Sequence, residues 1–177
     1  MQLTDIPVGD NFPKEMNVII EIPMNGLPVK YEVHKSSGAL FVDRFLNTAM
    51  YYPCNYGYVP QTLAEDGDPV DVLVVAPCAL ISGCVVPCRA IGMLQMQDEK
   101  GIDTKILAVP LSSVTMIYDQ IKNIEDMQKN ILDQIVHFFE HYKDLEPNKW
   151  VKLEKWHGVE AARKDLLACQ ERYKAQS

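Results

Sequence analysis

No apolar run in this chain approaches the ~20 residues of a membrane span, so no segment reads as transmembrane. The start, Met1-Gln2-Leu3-Thr4-Asp5, lacks both the basic stretch and the apolar core of a secretory signal, and a cytoplasmic protein is expected. Basic residues are outnumbered. The net charge of −7 and a pI near 5.0 argue against nucleic acid or an anionic membrane as the main partner. Binding of a small anion stays open, because bound cations can reverse the local charge. Among five cysteines there is no C-x-x-C pair, so Cys54, Cys78, Cys84, Cys88 and Cys169 read as reduced, mostly core thiols. Cys84 and Cys88 have no nearby His or second pair to complete a zinc site. Repeats, low-complexity tracts and linkers are missing too. The 177 residues fit one domain, 1–177, able to bury roughly 70% of its unfolded surface.

What the chain does have is Asp66-Gly67-Asp68-Pro69-Val70-Asp71, running straight into Val72-Leu73-Val74-Val75. Gly67 permits a tight bend and Pro69 cannot donate to a helix or a central ladder, so the segment reads as a turn feeding a strand. Three crowded carboxylates repel unless some are protonated or share a cation. No His or Cys stands beside them, and an all-oxygen set suits a hard ion such as Mg²⁺ or Mn²⁺. An isolated D-G-D-P is more often a solvated acidic turn. An EF-hand loop is excluded, since counting from Asp66 its required Gly and Glu positions hold Asp71 and Pro77. The D-x-D-x-V string also fits an aspartyl-phosphate phosphohydrolase with Asp66 as nucleophile. In that class the strand precedes the acids, whereas here Gln61-Thr62-Leu63-Ala64-Glu65 precedes and the strand follows.

The first two-thirds of the chain are strand-like and the last third helical. Strands are expected at Val18–Ile22, Val29–Val33, Ala39–Phe45, Asp71–Val75, Val85–Met96 and Thr104–Val109, separated by Gly and Pro. Short strands at this spacing suggest a small antiparallel barrel or sandwich. A helix is predicted from an Asn123 N-cap with Asp126 three residues on. It carries Ile131, Ile135, Phe138, Tyr142 and Leu145 at helical spacing and closes at Pro147. A second helix follows Gly158, with Val159, Ala162, Leu166, Cys169 and Tyr173 on one face. The fold class is mostly β (α+β) with two late helices.

A second acidic cluster, Gln97-Asp98-Glu99-Lys100-Gly101-Ile102-Asp103-Thr104-Lys105, reads by itself as a hairpin tip. With Asp66–Asp71 it becomes a second set of oxygen ligands, to which Glu21 and Glu32 could add. Basic and phenolic groups sit elsewhere: Lys30 beside Glu32 on one strand face, Arg44 within an apolar strand, Tyr56 in an aromatic stretch, and Tyr142-Lys143 at a helix end. Each alone favours a structural role, whether a weak surface ion pair, core packing or a helix-dipole contact. Together, without a catalytic His or Cys signal, they suit holding metal ions against a phosphate.

These residues resemble the soluble inorganic pyrophosphatases of family I, in the short bacterial form. Asp66-Gly67-Asp68-Pro69-Val70-Asp71 matches the family signature D-x-D-P-x-D. The likeness extends through Glu21-Ile22-Pro23, Lys30-Tyr31-Glu32, Gly38–Arg44, Tyr52–Tyr58, Asp98, Asp103, Lys105 and His137–Lys143. It implies a five-stranded OB-like antiparallel β-barrel with two flanking α-helices, and cytoplasmic hydrolysis of pyrophosphate with several Mg²⁺ ions per site, Mn²⁺ or other divalent ions being alternatives. By the resemblance, Asp66, Asp71 and Asp103 hold the tightest metal, with Asp71 shared by the second. Asp98 and Asp103 hold ions arriving with substrate, and Glu21 and Glu32 make outer contacts. Asp68 orients or deprotonates the attacking water, and Lys30, Arg44, Tyr56, Lys105, Tyr142 and Lys143 bind phosphate. Direct attack of a metal-activated water then needs no phosphoenzyme. A non-catalytic divalent-cation or phosphate-binding domain is the remaining alternative, and tight metal binding without turnover would favour it.

Bacterial members of the resembled family are typically homohexamers, and the first predicted helix offers a surface for assembly. At about 100° per residue, its apolar positions extend from Leu145 through Phe138, Ile131, Tyr142, Ile135 and Phe139 to Leu132 and Val136. That arc is wider than covering a single core needs, unless the C-terminal helix takes the second strip. His137 and His141 lie one turn apart on the opposite flank. If they stand at an interface edge, protonation below about pH 6.5 adds neighbouring positive charges and loosens the assembly. Light scattering between pH 8 and 5 is expected to show an oligomer that weakens on acidification. A monomer throughout contradicts the assembly, and an unchanged oligomer contradicts the histidine switch.

Overall fold

The computed structural model describes residues 3–34, 36–99 and 101–176. Met1 and Gln2, in the start read for a signal, and Lys100, at the expected hairpin tip, lie outside the described residues. The strands are β1 (Met16–Ile22), β2 (Val29–Val33), β3 (Leu40–Phe45), β4 (Asn55–Tyr58), β5 (Asp71–Val74), β6 (Val85–Asp98), β7 (Gly101–Pro110) and β8 (Val151–Gly158). Helix α1 (Lys129–His141) precedes β8 and α2 (Val159–Gln176) follows it.

Strands β1, β4, β5, β7 and β6 hydrogen-bond in that order, and β6 returns to β1 to close the ring. This is the five-stranded barrel with flanking helices that the resemblance implies. β8 extends it beyond β6, and β2 and β3 form a separate hairpin. One pairing departs from an all-antiparallel barrel: β5 and β7 run parallel. After β5 the chain crosses to β1 as β6, and the β6–β7 hairpin then returns in the direction of β5. A parallel neighbour requires such a crossover.

Successive residues of β5, with Val75 just beyond it, serve two cores. Val72 and Val74 pack with Ala162, Leu166 and Cys169 of α2, while Leu73 and Val75 pack with Phe138 and Phe139 of α1. Side chains alternate across a strand, so a strand covered on both faces reads as an unbroken apolar run. Each fully buried Val or Leu contributes about 1.5–3 kcal/mol. The run therefore fixes β5 firmly, with Asp71 at its mouth.

Two strands were not expected. Residues 55–58 read as aromatic packing rather than a strand, yet β4 is wholly buried between β1 and β5. Asn55 latches the surrounding loops there. Its Oδ1 accepts the N–H groups of Met24 (3.1 Å) and Leu80 (2.8 Å), and its Nδ2 donates to the Cys78 carbonyl (3.1 Å). β8 pairs with β6 although Lys152, Glu154 and Lys155 interrupt its apolar positions.

Helix α1 begins at Lys129, not beside Asn123. Asn123 instead precedes a 3₁₀ turn, Ile124–Asp126, whose Asp126 carboxylate accepts the N–H groups of Lys122 (2.8 Å) and Asn123 (3.0 Å). The Asn123 side chain serves the other helix, accepting the Val159 N–H at 2.9 Å to cap α2. α1 also ends earlier than predicted, at His141, and tight turns after it leave Leu145 exposed. Ile135, Phe138, Phe139 and Tyr142 are buried in the chain's own core, with Ile131 and Leu132 packed against it. Most of the wide apolar arc is thus consumed within the subunit, against the barrel and β8 rather than under α2. His137 and His141 are both exposed with ring centroids 4.9 Å apart, and His141 Nδ1 lies 2.9 Å from Asp144. A protonated His141 would therefore find a carboxylate on its own subunit.

Gly57 sits where β4 crosses closest to β1. A Cβ built there would lie 1.9 Å from the Ile19 carbonyl oxygen and 2.9 Å from Ile20 Cα. Backbone cannot yield as a side chain does, so Gly57→Ala is expected to cost about 3 kcal/mol or more. Denaturant unfolding checks this, and a parent-like midpoint would show that the two strands can separate at no cost.

Candidate active site

Glu21 is the extra residue of a β-bulge in β1: Ile20 pairs with Gly57 and Ile22 with Tyr56. Ile20 and Ile22 go to the two cores, and the bulge aims the carboxylate between them into a cleft. There Glu21 is 7% exposed and accepts the Val33 N–H at 2.7 Å, tying the β2–β3 hairpin to the barrel. A second bulge in that hairpin leaves Asp43 unpaired between the Lys30–Arg44 and Tyr31–Val42 pairs. Asp43 then lies 3.6 Å from Lys30 Nζ and 3.7 Å from Arg44 Nη1. Lys30 also contacts Glu32 closely.

On the opposite wall, the parallel register sets Asp71 of β5 beside Lys105 of β7. The Lys105 ammonium, 3% exposed, contacts the Asp71 carboxylate, Asp103 at 2.7 Å and the Tyr56 hydroxyl at 3.2 Å. Burial works to lower its pKa, but Asp103 and Asp71 together raise it well above the ordinary lysine value. Burial likewise pushes the Tyr56 and Tyr142 hydroxyls up, so both are protonated donors at neutral pH. Asp98, at the end of β6, pairs with Lys143 at 2.7 Å, and Glu99 stands 3.5 Å from the same ammonium. In the loop before β5, the Asp68 N–H donates to Asp66 Oδ1 at 3.1 Å.

All thirteen candidate residues line one cavity of about 530 Å³: Glu21, Lys30, Glu32, Arg44, Tyr56, Asp66, Asp68, Asp71, Asp98, Asp103, Lys105, Tyr142 and Lys143. Glu99, Lys149, Tyr52, Tyr173 and Gln176 line it as well and were not singled out from the sequence. Glu99 had a signal, being next to Asp98 in the acidic cluster. Lys149, in the turn after α1, and Tyr173 and Gln176, on the last turns of α2, arrive only through the fold. Burial, then the nearby charges of Arg44 and Lys143, lower the Lys149 pKa.

The cavity wall carries eight carboxylates against five cations. Burial, with the Val33 N–H opposing and Asp71 adding, pushes the Glu21 carboxyl up to about 8 from its ordinary value of 4.5. Asp66 is raised chiefly by burial, with Asp103, Asp68 and Asp71 adding to it. Among the described residues no three His, Cys, Asp or Glu side chains converge closely enough to hold an ion as they stand; Lys105 and Lys143 engage Asp71, Asp103 and Asp98. The donor set nevertheless fits hard divalent cations: it is all oxygen, and its strained members call for added positive charge.

The sequence model of the inorganic pyrophosphatase family matches residues 18–174. The chain belongs to that family. It is 54% identical over 174 residues to the inorganic pyrophosphatase of Escherichia coli K12, covering 98% of this chain and 99% of that protein. Its identity to the Xanthomonas campestris inorganic pyrophosphatase is 55% over 173 residues, covering 98% and 97%. The solved inorganic pyrophosphatase of Coxiella burnetii superposes with a TM-score of 0.92 at 50% identity, over 95% of this chain and 99% of that one. That of Thermus thermophilus gives 0.93 at 43% identity, over 98% and 99%.

The position of Glu21 gives a pH test. Its folded pKa lies above its unfolded one, so the native state holds the extra proton between about pH 4.5 and 8. The stability tied to Glu21 is therefore fully present below about pH 4.5 and is lost as pH rises towards 8. In EDTA, Glu21→Gln keeps an acceptor for Val33 but cannot ionise. The variant should gain on the parent by a few kcal/mol, in order of magnitude, between pH 5 and 9. Parallel unfolding curves for the two proteins across that range would contradict this reading of Glu21.

Proposed function

We propose that this family member hydrolyses inorganic pyrophosphate to two orthophosphates by direct attack of water, using divalent cations held on the carboxylate wall. The observation that carries the reading is the meeting of eight carboxylates and five cations in one cavity, in a chain of the inorganic pyrophosphatase family. Dependence on a divalent metal goes with the family, and Mg²⁺ is the ion we assign. Asp66, Asp71, Asp103 and Asp98 would hold the ions, with Glu21 and Glu32 as outer contacts. When bound, such ions neutralise the polyanion and acidify water.

The chain's own groups account for the rest. Asp68 orients the attacking water and accepts its proton. Arg44 presents parallel N–H donors that match phosphate oxygens. Lys30 and Lys143 supply point charges, and Tyr56 and Tyr142, kept protonated by burial, donate hydrogen bonds as charge moves onto the leaving phosphate. Lys105 reaches substrate only at the cavity floor, since Asp71, Asp103 and Tyr56 already surround it. The order of elements supports water over Asp66 as nucleophile: Asp66 lies in a loop ahead of β5, not at the end of a strand.

The same reading takes the protein as a cytoplasmic homohexamer, as in the resembled bacterial enzymes. No helix is long and apolar enough to cross a membrane among the described residues. On the β2–β3 hairpin Phe41, Val42 and Phe45 are each more than half exposed, a surface suited to a further copy.

Phosphate release from pyrophosphate, titrated with Mg²⁺, tests the assigned roles. The parent should be active with Mg²⁺ and silent in EDTA. Asp68→Asn should lower turnover about 10²–10⁴-fold at near-parent Mg²⁺ affinity, while Asp71→Asn should weaken Mg²⁺ binding itself. Equal losses of metal affinity would show that Asp68 is a ligand and not the group acting on water.

A further inference from the structure

The loop carrying Asp66 and Asp68 is anchored by the last turns of α2, some hundred residues away in sequence. Its base is closed by Thr62, 2% exposed, whose hydroxyl donates to the Val59 carbonyl (2.6 Å) and accepts the Val70 N–H (3.0 Å). Beyond that point the loop is half-buried or exposed from Leu63 to Pro69, with Ala64 packed against the core and polar contacts holding the backbone. Leu63 is held on both sides of its backbone. Its N–H donates to the Cys169 carbonyl at 3.0 Å, and its carbonyl accepts Arg172 Nε at 2.9 Å. Arg172 Nη2 also donates to Cys169 Sγ at 2.9 Å, which fixes the plane of the guanidinium. From Leu63 the hold passes along the loop: the Ala64 N–H donates to the Asp68 carbonyl (2.7 Å), Gly67 N–H to the Ala64 carbonyl (3.2 Å), and Asp68 N–H to Asp66 Oδ1 (3.1 Å).

We infer that Arg172 is a positioning residue for the hydrolysis, clamping Leu63 so that Asp66 and Asp68 keep their places on the cavity wall. The inference rests on the reading in which Asp66 holds a cation and Asp68 acts on water. Arg172 acts through the backbone of residues 63–68, which it holds at the Leu63 carbonyl. A displacement of about 1 Å remote from the chemistry can cost about 10²-fold in rate.

Arg172→Met keeps the stem of the side chain and removes its donors; Arg172→Lys restores one cationic donor. In the full-length protein with saturating Mg²⁺, Arg172→Met should lower kcat for pyrophosphate about 10- to 10²-fold. KM should change little, because Lys30, Arg44, Tyr142 and Lys143 are untouched. Calorimetric Mg²⁺ affinity without substrate should weaken, since Asp66 shares the loop. Amide exchange should quicken at Leu63, Ala64 and Asp68 while β1 and β6 stay protected, and Arg172→Lys should recover much of kcat. Where the Met variant does not fold, Arg172→Gln serves in its place. An active parent matched in kcat and in Leu63 exchange by Arg172→Met overturns the assignment alone. So does a Lys variant as slow as Met, or a kcat loss accompanied by equal loss of protection throughout the barrel. An inactive parent overturns the reading of the site, and this assignment with it.

Discussion

The buried ammonium of Lys105 is the constraint on which the cavity depends. A charge with so little access to water costs several kcal/mol unless it is paired, and here it is paired with both Asp71 and Asp103. That requirement fixes the parallel β5–β7 register, which sets Asp71 beside Lys105. It brings the β4 hydroxyl of Tyr56 to the same ammonium and places Phe139 of α1 over it, 5.9 Å from the ring centroid. α1 in turn delivers Tyr142 and Lys143 to the rim, where Lys143 takes Asp98. One ion cluster thus ties three barrel strands and a helix to a common point.

The rest of the cleft follows from what Lys105 leaves uncompensated. It cannot neutralise Glu21, Asp66 and Asp68 as well, and burial leaves Glu21 and Asp66 reluctant to ionise. An excess of carboxylates would repel a phosphate polyanion. On the proposed reading the same excess would seat hard cations, after which the flanking Lys30, Arg44, Tyr142 and Lys143 would grip phosphate oxygens. The bulge at Glu21 gives up strand regularity to aim its carboxylate inward.

Residues with local signals were legible in the sequence. The turn of Asp66–Asp71 is announced by Gly67 and Pro69, and the apolar run after it by burial on both faces. Every candidate cleft residue lines one cavity. What sequence could not show depends on distant partners. β4 has no period-two pattern because it is buried on both sides and carries Gly57 for close approach to β1. Asn123 looks like a cap for the helix beside it but caps α2, since nothing local names Val159 as its partner. The width of the α1 face suggested an outside partner, whereas the mouth of the barrel and β8 use most of it. Lys149 and the α2 end reach the site only because of how the chain returns.

Thermal unfolding of Lys105→Met, in EDTA and again in excess Mg²⁺, tests the central constraint directly. In EDTA the variant should lose on the order of 3–5 kcal/mol against the parent, because two carboxylates are left without their buried cation. Mg²⁺ should restore much of that loss, and raise the variant's Tm by more than the parent's. Parent-like stability in EDTA would show that Asp71 and Asp103 do not depend on Lys105, and would contradict the account.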